Sequence, residues 1–533
     1  MTVTLEQKIG QLFVCGWIAE ADEDASTVTR HAEYLLNEMQ VGGLVLLPRN
    51  VAKTVQASAQ THAELQSISK QPLFICVDQE GGMITRFIDG VTVFPSAMAH
   101  GATRNPDNAY KTACANAEEL RALGTNWNFA PVADVNINPL NPIIGTRSYS
   151  ENPKMVGEFA AAAVRGHNDG GVISAVKHFP GHGDTAVDSH LALPTVPYDL
   201  QRIQEVELVP FVAAIEVGTP AIMTTHIIFP AIDQERPATL SHKVMTGLLR
   251  EQLGFSGLII TDCLEMKAIE DNYGVEAAVL AFEAGVDLLL VCHTPATQRA
   301  MYAAVLAAVQ SGRISMDRVE QSLARIRKAK SKFVGLAVVD QAVINCAAHV
   351  ALRDTVAESA VTVVKNSGAI PLKASAAGSI VVTGLHFSVE NIGNALKAYC
   401  PEIAVVQLKP DSAIEQIEEL VGKYSTIIMA TAPLEPWRDK IDVALQARLV
   451  EYLNNSVENF IAVAVREPYD ARNFSCIRNY ICIYGYRGGM VEALAKVLVG
   501  AITATGQLPV TIPNVAALPV GENVSETVLQ KYF

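Results

Sequence analysis

Ionisable residues stand directly after several apolar runs of this sequence. In parallel α/β proteins the carboxyl ends of the strands meet at one face, so we expect these side chains to surround one pocket. Carboxylates, imidazoles and ammonium groups gathered in a pocket can transfer protons and bind a polar ligand. The residues in such positions are Asp78, Asp134, Lys177, His178, His226 and Asp262.

The segment from Lys177 to His190 is the richest in such side chains, and its histidines first suggest a metal. His178 and His182 have the i, i+4 spacing of helical zinc ligands. Pro180 and a following glycine lie between them and disfavour a regular helix, so a metal is the minor alternative. The sequence therefore predicts neither a metal nor a cofactor.

The same segment predicts a loop that carries a general acid/base. Asp188 and His190 are two residues apart, so the carboxylate can accept a hydrogen bond from the imidazole and raise its basicity. Gly181 and Gly183 are interpreted as hinges that let the loop move over a ligand. An ordinary surface loop with a chance Asp-Ser-His stays open as the alternative.

Two further carboxylate positions have a functional and a structural interpretation. Asp262 either caps a helix over residues 264–269 or acts as a nucleophile at the mouth of a barrel. The segment from Asp78 to Arg86 combines two carboxylates, a glycine pair and an arginine in one loop, which suits close approach of a polar ligand.

Short β-rich runs alternate with helical patterns and must position these residues. The runs predict eight strands: Gln11–Trp17, Val41–Leu47, Leu73–Asp78, Asn128–Asp134, Ile173–Phe179, Ala221–Ile227, Gly257–Asp262 and Val286–Cys292. Helical periodicity marks Asn108–Leu123, Pro153–Asn168, Glu205–Val217 and Val275–Ala284. The alternation predicts an α/β fold, a (β/α)₈ TIM barrel, with a doubly wound sheet as the competitor.

A second alternating series predicts a separate α/β sandwich. Its expected strands are Ala360–Lys365, Ser379–Thr383, Ala404–Leu408, Thr426–Ala430, Phe460–Val465 and Tyr480–Tyr484. A chain of 533 residues is too long for one core. We therefore divide it into a barrel domain over residues 1–340 and a C-terminal domain over residues 341–533.

Composition excludes several classes of partner. The chain has 41 Lys+Arg against 55 Asp+Glu and no long basic run, which argues against nucleic acid and anionic lipid. Its apolar runs are too short to span a bilayer. The amino terminus lacks a signal-peptide pattern, which predicts a cytoplasmic protein, although a processed secreted form would read the same. A small molecule is the expected partner, and no oligomeric state is predicted.

Taken together, the motifs resemble the bacterial-type β-N-acetylglucosaminidases of glycoside hydrolase family 3. The Lys-His-Phe-Pro-Gly-His-Gly element at residues 177–183, with Asp-Ser-His at 188–190, is specific to this branch. Other elements match the wider family, and Cys263 departs from it where many relatives have Asp. These elements lie at residues 5–13, 78–86, 128–136, 144–149, 237–241 and 260–266, and in the second domain at 359–366, 466–470 and 506–510.

The resemblance implies a retaining exo-glycosidase that releases terminal β-linked N-acetylglucosamine from chitooligosaccharides or cell-wall fragments. It implies that Asp262 is the nucleophile and that Asp188 with His190 is the acid/base pair. A glutamate of the second domain serves as acid in related β-glucosidases, whereas Glu467 here is expected to be structural. A phosphorylase, a β-glucosidase and a non-catalytic sugar-binding protein are the alternatives. The implied sugar-binding residues are Asp78, Arg86, Arg147, Lys177 and His178.

Overall fold

A computed structural model describes residues 3–185, 193–336, 340–373, 379–433, 441–474, 476–513 and 515. The first half contains eight parallel strands in one closed sheet: β1 Phe13–Cys15, β2 Gly43–Leu46, β3 Phe74–Val77, β4 Trp127–Asn128, β5 Ile173–Phe179, β6 Ala221–Thr224, β7 Leu258–Ile260 and β8 Leu289–Val291. Each pairs with the next, β8 pairs with β1, and a parallel bridge from Ile260 to Leu288 joins β7 to β8. This confirms the barrel over the doubly wound sheet.

Helices surround the barrel and begin where the sequence carries capping signals. Asn105 and Asn152 each accept a hydrogen bond from the first helical turn, and a proline follows each of them. The helices are Leu5–Gly10, Arg30–Tyr34, Leu35–Met39, Val55–Ile68, Ala97–Ala102, Pro106–Ala122, Pro153–Asp169, Leu200–Glu205, Val209–Glu216, Lys243–Gln252, Lys267–Tyr273, Glu276–Ala284, Pro295–Gln310 and Met316–Phe333.

The second half contains a six-stranded sheet flanked by helices. Its strands are β9 Thr362–Lys365, β10 Ile380–Gly384, β11 Ala404–Gln407, β12 Thr426–Thr431, β13 Asn459–Ala464 and β14 Tyr480–Cys482. The order is β9-β14-β13-β12-β10-β11, and only the β9–β14 pair is antiparallel. Its helices are Ala347–Ala360, Ser388–Lys397, Ala413–Lys423, Val443–Ser456 and Met490–Leu498. The predicted sandwich is confirmed.

Each half has its own hydrophobic core, and one element crosses between them. Met98, Ala99 and Ala102, on the helix Ala97–Ala102 of the barrel half, are buried in the core of the second sheet. The loop after β3 is therefore held by both halves. The division at residues 340 and 341 stays a prediction.

The structure changes two local predictions. The helix expected over Glu205–Val217 is Val209–Glu216, because a separate helix, Leu200–Glu205, ends where Val206 leaves the helical region at φ −124° and ψ −69°. The strand expected over Asn128–Asp134 is only Trp127–Asn128, with an isolated bridge from Val132 to Lys177 further on. Among the described helices we find none that is both long enough and apolar enough to cross a membrane.

Candidate active site

A cavity of about 370 Å³ opens at the carboxyl ends of the barrel strands. Six of the residues expected to take part in the site line this cavity, although they come from four different loops or strand ends. The structure therefore brings them together, while their individual roles stay predictions. They are Asp78, Arg86, Arg147, Lys177, His178 and Asp262.

Asp78 follows β3 and is held between two cations. Its Oδ1 accepts a hydrogen bond from Lys177 Nζ at 2.8 Å, and its Oδ2 accepts one from Arg86 Nη2 at 3.0 Å. Burial opposes ionisation, but the charges of Lys177 and Arg86 outweigh it and hold the pKa of Asp78 well below its usual range. Asp78 is thus a permanent hydrogen-bond acceptor in the cavity wall.

Glu80 completes this ion-pair network. Arg147 binds both of its carboxylate oxygens, from Nε and Nη2 at 2.9 Å each, and Lys177 Nζ lies 2.7 Å from Oε1. Burial would raise the pKa of Glu80, but the charges of Arg147 and Lys177 lower it instead. The two carboxylates in turn keep the buried Lys177 protonated by raising its pKa against the effect of burial.

Asp134 orients His178. Its Oδ2 accepts a hydrogen bond from His178 Nδ1 at 2.7 Å, and its Oδ1 accepts the backbone N–H groups of His178 and His182 at 3.1 and 2.8 Å. Burial alone would raise the pKa of Asp134, but the interaction with His178 outweighs burial and lowers it, so the carboxyl group is ionised. This network assigns the Nδ1 proton to His178 and leaves Nε2 as an acceptor on the Arg147 side.

Asp262 lies two residues beyond β7, and it is partly exposed in the cavity. Its Oδ1 accepts the backbone N–H of Cys263 at 2.7 Å. The following helix begins at Lys267 with Met266 as its N-cap, so Asp262 does not cap it. The buried His226 holds the adjacent backbone, because its Nε2 donates to the Cys263 carbonyl at 2.9 Å.

Asp188 and His190 lie outside the described residues, which stop at Thr185 and resume at residue 193. The described start of this loop shows a packing requirement for its two glycines, and their expected role as hinges stays a prediction. A Cβ on Gly183 would lie 1.8 Å from the Val135 carbonyl oxygen, and one on Gly181 would lie 2.8 Å from Glu207 Cγ. Both glycines are thus required because the backbone packs closely against its neighbours.

Some residues of this site had no assigned role in the sequence analysis. Glu80 and Asp134 stand in the family motifs and His226 stands at a predicted strand end, but only the folded contacts reveal what each one holds. Cys292 and His293 were missed, although they directly follow β8 and the strand-end rule applies to them as well. Both line the cavity beside Asp262.

The second domain reaches the barrel mouth through the segment after β13. Asn136 donates to Tyr469 Oη at 2.9 Å, and Arg472 donates to the Pro139 carbonyl at 2.6 Å. Glu467 packs against Gly145, where a Cβ would lie 2.5 Å from Oε1. Within the described part of the chain, Glu467 is not among the residues that line the cavity of Asp262.

Comparisons with known proteins show which proteins this chain resembles. The model of the glycosyl hydrolase family 3 N-terminal domain matches residues 4–329. "Beta-hexosaminidase A" of Pseudoalteromonas piscicida is 33% identical over 96% of this chain and 97% of its own. A "Beta-hexosaminidase" of Xanthomonas euvesicatoria is 37% identical over 48% of this chain and 77% of its own. The solved glycoside hydrolase family 3 β-N-acetylglucosaminidase of Paenibacillus sp. superposes with a TM-score of 0.87 at 37% identity, covering 97% of this chain and 100% of that one.

Proposed function

The chain belongs to glycosyl hydrolase family 3, and on this premise we propose that it is a retaining exo-β-N-acetylglucosaminidase. Two relatives that match along almost its whole length, at 33% and 37% identity, are a β-hexosaminidase and a β-N-acetylglucosaminidase. The observation that carries the proposal is the joint lining of one cavity by Asp262 and by the network around Asp78 and Lys177. A polar cavity that also contains a strand-end carboxylate suits covalent sugar chemistry.

In the proposed first step, the Asp262 carboxylate attacks the anomeric carbon as the bond to the leaving-group oxygen breaks. His190, oriented by Asp188, gives its proton to that oxygen. In the second step the neutral His190 takes a proton from water, the water oxygen bonds to the anomeric carbon, and Asp262 leaves. Two inversions give overall retention.

The ion-pair network is proposed to hold the terminal sugar. Asp78 stays anionic and accepts hydrogen bonds from sugar hydroxyls, while Lys177 and Arg86 donate to sugar oxygens. Arg147 is largely occupied, because its contacts to Glu80, His178 and the Ile143 carbonyl use most of its N–H groups. We propose that Arg147 contributes chiefly by positioning His178, whose ring lines the cavity.

Cavity size supports attack on chain ends. A volume of about 370 Å³ is near the lower end of the roughly 300–1,000 Å³ typical of small-molecule sites. A second cavity of about 620 Å³ adjoins it and shares Arg86 and Arg147 in its lining. It also contains Arg466 and Arg487 of the second domain. We propose that the smaller cavity holds the sugar that is released and the larger one holds the rest of the substrate.

The nucleophile is tested by trapping it. A 5-fluoro-N-acetylglucosaminyl fluoride should inactivate the enzyme with time, and peptide mapping should place the label on Asp262. The Asp262→Asn variant should take up no label under the same conditions. The Asp78→Asn variant keeps Asp262, so any label that it takes up should be on that residue. A label on any other residue would refute the assignment. Release of a sugar 1-phosphate that depends on added phosphate would instead reveal a phosphorylase.

A further inference from the structure

Three side chains with soft ligand atoms form a cluster at the barrel mouth that the proposed reaction does not use. Cys263, Cys292 and His293 each offer one ligand atom, and these atoms all lie within 4.8 Å of one another. All three residues line the cavity that contains Asp262. Both cysteines are buried, whereas His293 is exposed. Among the described residues, this is the one group of three or more such side chains with metal-binding spacing.

The fold holds the backbone of this cluster in place. Cys263 follows β7 and the other two residues follow β8, and the Leu264 N–H donates to the Leu290 carbonyl at 2.9 Å between these segments. The Cys292 carbonyl accepts Arg49 Nη2 at 2.9 Å, and the His293 N–H donates to Glu265 Oε2 at 2.6 Å. Only side-chain rotations are then needed to adjust the ligand atoms, which favours binding.

The ligand set selects for the class of metal. Two thiolates and an imidazole suit Zn²⁺ and its soft analogues, whereas Mg²⁺ and Ca²⁺ prefer oxygen ligands. Tetrahedral bonds of about 2.3 Å to sulfur and 2.0–2.1 Å to nitrogen place ligand atoms roughly 3.5–3.8 Å apart. The three atoms lie within 4.8 Å, so movements of about 1 Å give this geometry. The thiols release two protons to water when the ion binds.

We propose that Cys263, Cys292 and His293 bind a thiophilic divalent cation such as Zn²⁺, and that the bound ion inhibits the enzyme. Three protein ligands leave a fourth position for water or a sugar oxygen. The ion occupies space in the sugar cavity, next in sequence to Asp262, and its positive charge weakens that carboxylate as a nucleophile. The binding half is independent of the proposed function, whereas the inhibition half rests on it.

Metal binding is tested on the full chain without substrate. The reduced protein, freed of metal by a chelator, is titrated with Co²⁺ under anaerobic conditions. We expect one Co²⁺ per chain, with a thiolate-to-cobalt charge-transfer band that Zn²⁺ abolishes by displacement. In Cys292→Ser and in His293→Ala the affinity should fall at least about tenfold. Cys476→Ser, which changes an exposed cysteine of the second domain, should bind as the unmodified chain does.

Unchanged Co²⁺ affinity in both variants, or a spectrum without thiolate charge transfer, would overturn the binding half. His293→Ala changes an exposed side chain, so the test survives if Cys292→Ser does not fold. A count of free thiols before titration checks that Cys263 and Cys292 are reduced. If they form a disulfide that reductant does not open, the proposed site does not exist.

Inhibition is measured with an aryl N-acetylglucosaminide, each protein being compared with its own metal-free rate. Zn²⁺ should inhibit the unmodified enzyme over the range in which it displaces Co²⁺, and Cys292→Ser should need at least about tenfold more. Zn²⁺ that displaces Co²⁺ without slowing hydrolysis would refute the inhibition half. A chain with no glycosidase activity would refute the proposed function, while the Co²⁺ titration would still decide the metal site.

Discussion

Asp78 at the barrel mouth and Asp470 beside the second sheet are both enclosed carboxyl groups, yet their pKa values move in opposite directions. Lys177 and Arg86 hold the pKa of Asp78 well below its usual range despite burial. Burial raises the pKa of Asp470 to about 6, because its hydrogen-bond partners Thr431 and Tyr480 are neutral. An enclosed carboxyl group is thus a fixed anion or a weak acid according to whether cations are built around it.

The barrel mouth and the second domain differ in the charged groups placed around their carboxylates. At the barrel mouth, three cations and two carboxylates form one partly buried network, since Lys177, Arg147 and Arg86 meet Asp78 and Glu80. Both halves are α/β layers built on mainly parallel strands, so the backbone pattern does not distinguish them. What differs is the charge placed at the strand ends, and that difference favours the proposal that the barrel mouth binds the polar ligand.

The largest expected effect is on stability. Lys177→Met leaves Asp78 and Glu80 enclosed without their shared cation, which should lower the free energy of unfolding by about 3–5 kcal/mol. Lys496→Met removes a half-exposed ion pair to Glu358 in the second domain and should cost no more than about 1 kcal/mol. Urea unfolding monitored by circular dichroism measures both. Equal losses would contradict the contrast drawn between the two regions.

The next effect separates the barrel loop from the second domain as a source of the acid. His190→Ala should reduce kcat/KM at least about 100-fold for substrates with poor leaving groups. With activated aryl glycosides the reduction should be much smaller, because little protonation is needed. Glu467→Gln should affect both substrate types to the same small extent. If Glu467→Gln instead shows the leaving-group dependence, the acid comes from the second domain.

A smaller effect concerns the pH dependence of stability. The folded chain keeps the Asp470 proton up to a pKa of about 6, whereas an unfolded aspartate loses it near 3.8. The folded state therefore binds more protons between these values, and stability falls as pH rises from about 4 to 6, by on the order of 2 kcal/mol. Asp470→Asn should remove this slope, so above pH 6 the free energy of unfolding of the variant should rise relative to that of the unmodified chain.

The same measurement on Asp78→Asn sharpens the comparison. Because the folded pKa of Asp78 is lowered, its contribution is present above the unfolded pKa and is lost as pH falls below about 4. The two substitutions should thus alter the stability curve with opposite signs. Unfolding curves between pH 3 and 8 would contradict this if both variants changed the slope in the same direction.

The smallest effect tests Arg487, one of two arginines of the second domain that line the larger cavity. Arg487→Ala should raise KM for an N-acetylglucosamine disaccharide about tenfold, equivalent to about 1.4 kcal/mol, and leave an aryl glycoside unaffected. Arg478→Ala offers a control of the same type in the second domain, since Arg478 binds the carbonyls of Asn454 and Val457 instead. An equal change of KM for both substrates would argue against a substrate site there.

Particular elements show how much of the secondary structure can be predicted from the sequence. Strand β5 matches its prediction from Ile173 to Phe179, because an apolar run is bounded by glycines on one side and Pro180 on the other. The strand expected over Asn128–Asp134 is interrupted because Pro131 lacks a backbone N–H, and pairing with β5 resumes only as an isolated bridge at Val132. The helix predicted over Glu205–Val217 starts four residues too early, because helical structure ends at Glu205 and resumes only at Val209.

The residue types and their order along the chain determined the fold class and the candidate site residues. Alternating periods fix where strands and helices form, and parallel strands bring their carboxyl ends together. Tertiary structure alone decided which side chains meet. Lys177 bridges Asp78 and Glu80, and Asp134 orients His178. Cys263 lies beside Cys292 and His293. These contacts join residues up to 99 positions apart, and such pairings depend on side-chain distances of a few ångströms that local sequence does not encode.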